Sequence, residues 1–347
     1  MRANPLRKRY RERLAGVNVR PMDTPLPEWP DYGLTDDQRP ALRAALAAGK
    51  PAVLATIAAL GDGGPRPVGT QMVFAEGRVS GFLSGGCVEG DVAEHARACL
   101  ADGAPRRLVY GEGSPWPDIR LLCGARIEIL IERIAPHDPA AADLFRLMDA
   151  RRPAVWISDG ERRICAEAAE AWPGALIRRH DPVWRLAVIG GDPTALAIAQ
   201  LGAQSGFETT LVRPRGPATP PPLSGVAYRR DDPVAALAAI GLDAWTAVAV
   251  CSHDLEIDHA ALLAALPSAA PYVGLLGARK RLAERLALLR AAGLDEAAIG
   301  KLRAPIGLDL GGKAPWEVAV AAVGEVVRVR SRLLNPSDDT RPLALME

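Results

Sequence analysis

From Trp184 onward, strand-length apolar runs alternate with helix-length runs: Leu186–Ile189, Ala195–Ser205, Thr209–Val212, Pro233–Ile240, Ala247–Cys251, Ile257–Ala265, Tyr272–Leu276 and Arg279–Ala292. A final helix is expected at Pro315–Arg332. Strands joined by helices cross over right-handedly, so this pattern predicts a parallel, doubly wound sheet. The other half of the chain needs a core of its own, because 347 residues exceed what one hydrophobic core usually holds.

The N-terminal pattern is mixed. A helix (Arg39–Ala48) precedes an apolar strand (Ala52–Ala58), a Gly/Pro turn, and strands near Thr70–Phe74 and Val79–Ser84. After Ser84, the residues Val88, Val92, Ala96 and Cys99 recur at helical spacing, with Gly103 as the stop. Arg126–Glu132 alternates as a strand. The resulting boundaries are a basic arm and linker at 1–37, an N-terminal mixed α/β domain at 38–135, a bridging segment at 136–182, the doubly wound domain at 183–335, and a tail at 336–347. Within the bridge a short helix (Ala140–Ala150) and a strand (Ala154–Ser158) are expected.

Composition excludes several classes. A content of 49% hydrophobic and 24% charged residues is that of a globular protein rather than a disordered chain. The longest nearly uncharged apolar stretch, Pro51 to Leu60, is too short for the roughly 20 residues of a membrane span, and the N-terminus lacks an apolar secretory segment. No membrane contact and a cytoplasmic location are expected. Five scattered cysteines fit neither a disulfide framework nor a zinc ribbon, which suits a reducing compartment. A net charge of +1 gives no field for nucleic acid, although the first twenty residues hold seven Lys/Arg against one Glu.

The sharpest local feature is Ser84-Gly85-Gly86-Cys87-Val88-Glu89. Glycines let a ligand approach the backbone, and the helix that follows points unpaired N–H groups at the turn. Cys87 is a candidate nucleophile, sulfur carrier or soft metal ligand, or else a small buried side chain. Glu89 is a candidate acid or base, and a glutamate in the first helical turn is also what the helix dipole favours. Cys123-Gly124 opens a strand in the same domain, so a second thiol could face the first.

In the second half, Gly190-Gly191-Asp192-Pro193 stands where a dinucleotide fold carries GxGxxG, with Asp192 in place of the glycine that admits pyrophosphate. Asp192-Pro193 reads instead as a helix cap followed by proline at the first helical position. Arg213 and Arg215 stand where a ribose-binding acid would be. His253, Asp254 and Asp258 follow a central strand, at the edge where ligands of open α/β sheets collect, and suggest ligand contact, a metal or a helix cap. Gly277 and Arg279 open a basic helix start that a bound phosphate or solvent would balance. A glycine-rich loop follows with Gly307 and Asp309.

Taken together, Pro65-Arg66-Pro67-Val68-Gly69, Ser84–Glu89, Cys123-Gly124, His253-Asp254 with Asp258, Tyr272–Gly277 with Arg279, and Pro305–Asp309 resemble the XdhC/CoxI family over roughly Gln38 to Arg330. The resemblance implies an N-terminal domain of that family's type plus a C-terminal Rossmann-like doubly wound parallel-sheet domain. It also implies a factor that binds the molybdenum cofactor, as molybdopterin or its cytosine dinucleotide form. Such a factor protects the cofactor, supports its sulfuration with a cysteine desulfurase, and inserts it into a xanthine-oxidase-family apoenzyme. Cys87 would touch molybdenum or its sulfur. Arg66, Ser84, Gly85, Gly86, Cys123, Gly124, His253, Asp254, Asp258, Gly277, Arg279, Gly307 and Asp309 would line the cofactor site. A homodimer is the default assembly. The competing readings are an NAD(P)-dependent oxidoreductase using the Rossmann-like domain and a metal-dependent hydrolase built on His253, Asp254 and Asp258.

Overall fold

In the N-terminal half, strict alternation of apolar side chains lets one sheet serve two cores. The computed structural model describes residues 26–61, 64, 66–112 and 126–334. Strands β1 (Ala52–Leu60), β2 (Gln71–Ala75), β3 (Arg78–Gly81), β4 (Arg106–Tyr110) and β5 (Ile127–Ile134) form an antiparallel sheet in the order β3-β2-β1-β5-β4. Helices α1 (Arg39–Ala47), α2 (Glu89–Asp102) and α3 (Pro139–Asp149) cover it. Successive residues of a strand face opposite ways, so Val53, Ala55, Ile57, Ile127, Ile129 and Ile131 pack with Val92, Ala96 and Cys99 of α2. Ala52, Leu54 and Ile134 point the other way, toward Leu42 and Leu46 of α1, Leu144 and Leu147 of α3, and Trp156.

The stretch expected as a bridge is part of this second core. It carries α3 and the antiparallel strands β6 (Ala154–Ser158), β7 (Arg163–Ala166) and β8 (Leu176–His180), ordered β7-β6-β8. The division between the chain's two compact units accordingly falls between Pro182 and Val183. Strands β7 and β8 escape a sequence reading because charged residues (Arg163, Arg178, Arg179) interrupt their short apolar pattern. Glu132, fully buried on β5, ties the layers together. It accepts hydrogen bonds from Trp156 Nε1 (3.3 Å), Ser158 Oγ (2.6 Å) and Arg163 Nε (3.0 Å), and Arg163 Nη1 reaches Asp138 at 2.7 Å.

The second unit contains β9 (Arg185–Gly190), α4 (Pro193–Gln204), β10 (Glu208–Val212), β11 (Val226–Arg229), α5 (Pro233–Ile240), β12 (Thr246–Cys251), α6 (Leu255–Ala265), β13 (Tyr272–Leu275), α7 (Leu282–Ala291), α8 (Glu296–Ile299), β14 (Leu302–Arg303) and α9 (Pro315–Leu334). Its six strands are all parallel, in the order β11-β10-β9-β12-β13-β14. Counted within the unit this is 3-2-1-4-5-6, the order of a dinucleotide-binding fold. Leu186 and Val188 face α4 and α9, whereas Ala187 and Ile189 face α5, α6 and α7, so the sheet is doubly wound as expected. Two edge strands are additions. Strand β11 is reached through a loop holding Pro214, Pro217 and Pro220–Pro222, which have no place in a helix interior and remove the usual crossover helix. The helix expected from Arg279 begins as a 3₁₀ turn at Arg279–Arg281, with α7 starting at Leu282. Among the described residues, no helix is long and apolar enough to cross a membrane.

Two expectations test this packing. Glu132→Ala leaves the Arg163 cation with Asp138 and the Gly160 carbonyl, one carboxylate fewer, and should destabilise the first unit by about 3–5 kcal/mol in denaturant titrations. His180, at the end of β8, is 7% exposed, and burial together with the Arg178 and Arg39 cations pushes its pKa down to about 3. An unfolded histidine titrates near 6.5, so across that window the unfolded chain binds the extra proton. Stability should therefore rise with pH from about 3 to about 6.5, by up to about 1.4 kcal/mol per unit from this group, and be fully present above that range. His180→Gln should flatten the slope.

Candidate functional site

The loop between β3 and α2 is built around two side chains. Glu89, the first residue of α2, is 1% exposed and turns its carboxylate back into the loop. Oε1 accepts the backbone N–H groups of Leu83 (3.0 Å) and Ser84 (2.6 Å), and Oε2 accepts the Ser84 hydroxyl at 2.7 Å. Ser84 Oγ in turn accepts the N–H of Cys87 at 3.1 Å and of Val88 at 3.4 Å. The donors at the helix start, expected to act on the thiol or a ligand, are thus directed at Ser84 and Glu89. Gly86 turns the chain at φ +93, a conformation other residues rarely adopt, and Cys87 comes out at the surface. In front of Gly85 and Gly86 the space is open, since an added Cβ would meet nothing within 4 Å.

The other described cysteines are packing residues. Burial pushes the Cys99 thiol up to about 11 and Cys165 up to about 12, and raises Cys251 as well. A thiol raised this far stays protonated and unreactive. Cys87 is the exposed thiol among the described residues. Cys123 and Gly124 lie outside those residues. Arg66 forms an ion pair with Asp36, in the segment that leads to α1. A few residues earlier that segment runs beside the loop, where the Tyr32 ring lies 6.2 Å from that of Phe82.

A second group of residues collects at the carboxyl edge of the parallel sheet. The strand order reverses between β9 and β12, the crevice where ligands of such sheets bind. Asp192 caps α4 there, its Oδ1 accepting the Ala195 N–H at 2.8 Å. Its Oδ2 lies 3.1 Å from His253 Nε2, 61 residues further along the chain. His253 has a left-handed backbone, φ +62, which costs a side-chain-bearing residue about 1 kcal/mol. Arg213, expected near a nucleotide's ribose, lies over Gly191 so closely that an added Cβ would clash with its side chain. The chain's own carboxylate and guanidinium therefore fill the turn that dinucleotide folds leave to pyrophosphate.

The three residues read as possible metal ligands part company. Asp254 caps α6, accepting from Glu256 N and Ile257 N at 2.9 and 3.2 Å. Asp258 is fully buried and accepts from Ser252 Oγ at 2.5 Å and Arg285 Nη1 at 2.9 Å, so it fastens the loop to α6 and α7. His253 and Asp254 are exposed, whereas Asp258 is not. Among the described residues no group of three or more His, Cys, Asp or Glu side chains is placed to hold a metal, which corrects the hydrolase reading. Arg279 and Asp309 do meet, at 3.4 Å, but both are largely exposed and the pair adds little stability. Gly277 and Arg279 line a small, shallow surface depression with Ala278, Leu282, Arg285 and Pro305. Gly307 has a packing role: at φ +94 its Cβ position is 2.8 Å from the backbone of α9 at Ala321. The Asp192–His253 contact is invisible in the sequence, because nothing local marks two residues that parallel pairing brings together.

Comparison with known proteins places both halves. A model of the XdhC and CoxI family matches residues 45–111, and one of the XdhC Rossmann domain matches residues 186–326. A molybdenum cofactor insertion chaperone, PaoD of Escherichia coli (strain K12), is 33% identical over 306 residues, covering 86% of this chain and 90% of its own. A Bacillus subtilis (strain 168) protein described as a probable xanthine dehydrogenase subunit is 25% identical over 322 residues, 81% of this chain and 94% of its own. A solved structure described as a xanthine dehydrogenase from Bacillus halodurans shares the fold at a TM-score of 0.68 and 21% identity, covering 88% of this chain and 98% of that one. With a parallel Rossmann unit, an SGGC loop on a separate antiparallel unit, and a full-length relative at this identity, the chain belongs to the XdhC/CoxI family.

Proposed function

We propose that this chain is a molybdenum cofactor insertion chaperone. It takes up the cofactor as cargo, as molybdopterin or its cytosine dinucleotide form, and shields it. It supports exchange of an oxo ligand for sulfur with a cysteine desulfurase, and passes the product to a xanthine-oxidase-type apoenzyme in the cytoplasm. The relative named an insertion chaperone, which this chain matches over most of its length, supports that reading. A homodimer is the proposed assembly.

The observation that carries it is Cys87, an exposed thiol on a loop whose polar groups are already committed to one another. A thiol is a soft donor, suited to a metal that exchanges oxygen for sulfur, and it matches the donor chemistry of the cargo. Ser84, Gly85 and Gly86 would present it; Cys123, beside Gly124, would be its partner thiol. Because both oxygens of Glu89 hold the loop, Glu89 is proposed as a positioning residue rather than as the acid or base. Arg66 in the first unit, and His253, Gly277, Arg279, Gly307 and Asp309 in the second, remain proposed as cofactor-contacting residues each within its own unit, with Asp254 and Asp258 acting through the caps and contacts they make.

The oxidoreductase reading is weaker on physical grounds. Asp192 puts a negative charge where pyrophosphate would need helix N–H groups, and Arg213 covers the glycine beside it. Calorimetry with NADH and NADPH should give no saturable binding, and submillimolar binding of either would reinstate that reading.

The chaperone reading is tested on full-length protein made in a host that produces the cofactor, by molybdenum analysis and pterin fluorescence. Cys87→Ser should lower the retained cofactor by about tenfold, the equivalent of about 1.4 kcal/mol. Glu89→Ala should lower it while also reducing thermal stability, since it frees buried N–H groups. Wild-type retention in Cys87→Ser would remove the thiol from the site.

A further inference from the structure

In the first unit, arginines from three separate segments are near neighbours: Arg39 and the Asp36 that pairs with Arg66 both lie within electrostatic reach of Arg178, which packs on Gly69. Arg39 stands at the start of α1, Arg66 in the turn after β1, and Arg178 on β8. Asp37 takes Arg39 through paired contacts of 2.8 and 2.9 Å, and Asp36 takes Arg66. Asp181, the nearby third carboxylate, is held by Arg179 at 2.8 Å. Arg178 packs against Gly69, whose Cβ position is 2.7 Å from its Cδ, and its Nε is buried with no acceptor, the Asp37, Asp181 and Asp36 carboxylates acting on it only as nearby charges.

The deficit extends beyond one side chain. Arg39 is 5% exposed, yet its Nη1 is buried without an acceptor, and the same holds for Nε of Arg66 and Nε of Arg178. Buried N–H groups of a cation are costly when unmet, and native structures rarely leave them so. The one other unpartnered polar atom in this cluster, Gln38 Oε1, is an acceptor. Burial and the Arg39 charge hold the Arg178 pKa below the ordinary arginine value, and His180 beside them is pushed down to about 3, so it stays neutral and adds no charge of its own. Burial is the larger cause of both shifts, and the Asp37, Asp181 and Asp36 carboxylates act on Arg178 in the opposite sense.

We propose that Arg39, Arg66 and Arg178 form an anion site for a phosphate ester. A carboxylate is satisfied by one guanidinium fork, whereas a phosphate presents three oxygens and can accept from several forks at once. The site adjoins the strand end that feeds the Cys87 loop: at Gly81, φ +92, the Gln38 amide is packed 2.9 Å from where a Cβ would stand. An anion there enters the same compact unit as the exposed thiol. The ester is the phosphate of a bound pterin cofactor or that of a free metabolite, and the site itself does not depend on the chaperone reading.

Calorimetry on the full chain with inorganic phosphate, at ionic strength fixed with chloride, tests it. Saturable binding is expected, weakened about tenfold or more by Arg178→Gln. Arg179→Gln, which changes net charge equally on the same strand, should bind as wild type. Should Arg178→Gln fail to fold by circular dichroism, Arg66→Gln, in a turn rather than on a strand, carries the same expectation. No saturable heat, or equal weakening by Arg178→Gln and Arg179→Gln, overturns the site in favour of ordered water and unspecific charge. On protein purified with pterin, displacement of the pterin by phosphate identifies the cofactor as the source of the ester; phosphate binding that leaves it in place identifies a free metabolite. Either keeps the site. If no pterin is retained, the chaperone reading falls while the phosphate measurement still stands.

Discussion

Both central sheets are buried on both faces, and that constraint governs where chemistry can occur. A strand flanked by helices on either side has no room for an uncommitted polar side chain, so β9 and β12 are almost wholly apolar and their functional residues appear only beyond the last ladder bond. In the N-terminal unit the same pressure admits Glu132 to the interior only with three donors around its carboxylate. Polar groups that could meet a ligand are left to the loop after β3, the carboxyl edge of the parallel sheet, and the arginine cluster beside β8.

The loop after β3 follows that logic on a small scale. A buried carboxylate in the first turn of α2 would be costly alone, and here it is met by two backbone N–H groups and a hydroxyl, which pins the segment from Leu83 to Val88. The glycines need no close-packed neighbour; Gly86 supplies a backbone angle, and the consequence is an exposed Cys87 held by its own N–H to Ser84. At the carboxyl edge the device is different. Asp192 serves both as helix cap and as partner of His253, and the strained backbone of His253 is supported at the point where the sheet order reverses.

Much of this is legible in the sequence wherever the signal is local. The caps at Asp192 and Asp254, the helix that follows Val88, the strand–helix alternation and the SGGC motif all depend on near neighbours in the chain. Strands β7, β8, β11 and β14 are not legible, because they are short, edge-like or charged and gain their pairing from a neighbouring strand. The roles of Asp258 and Glu89 escape a sequence reading for a related reason: an acidic side chain near a candidate site looks chemical until its hydrogen-bond partners, such as Arg285 or the backbone of Leu83, are known.

The sequence alone determined the α/β class, the parallel winding of the second unit and the cysteine set in glycines, since periodicity and turn chemistry act over a few residues. Only the tertiary structure decided that residues 136–182 belong to the first core, that Asp192 meets His253, and that Arg39, Arg66 and Arg178 each keep a buried N–H without an acceptor. Those outcomes rest on burial and on contacts between distant segments, where the cost of an unmet charge depends on what the fold brings beside it.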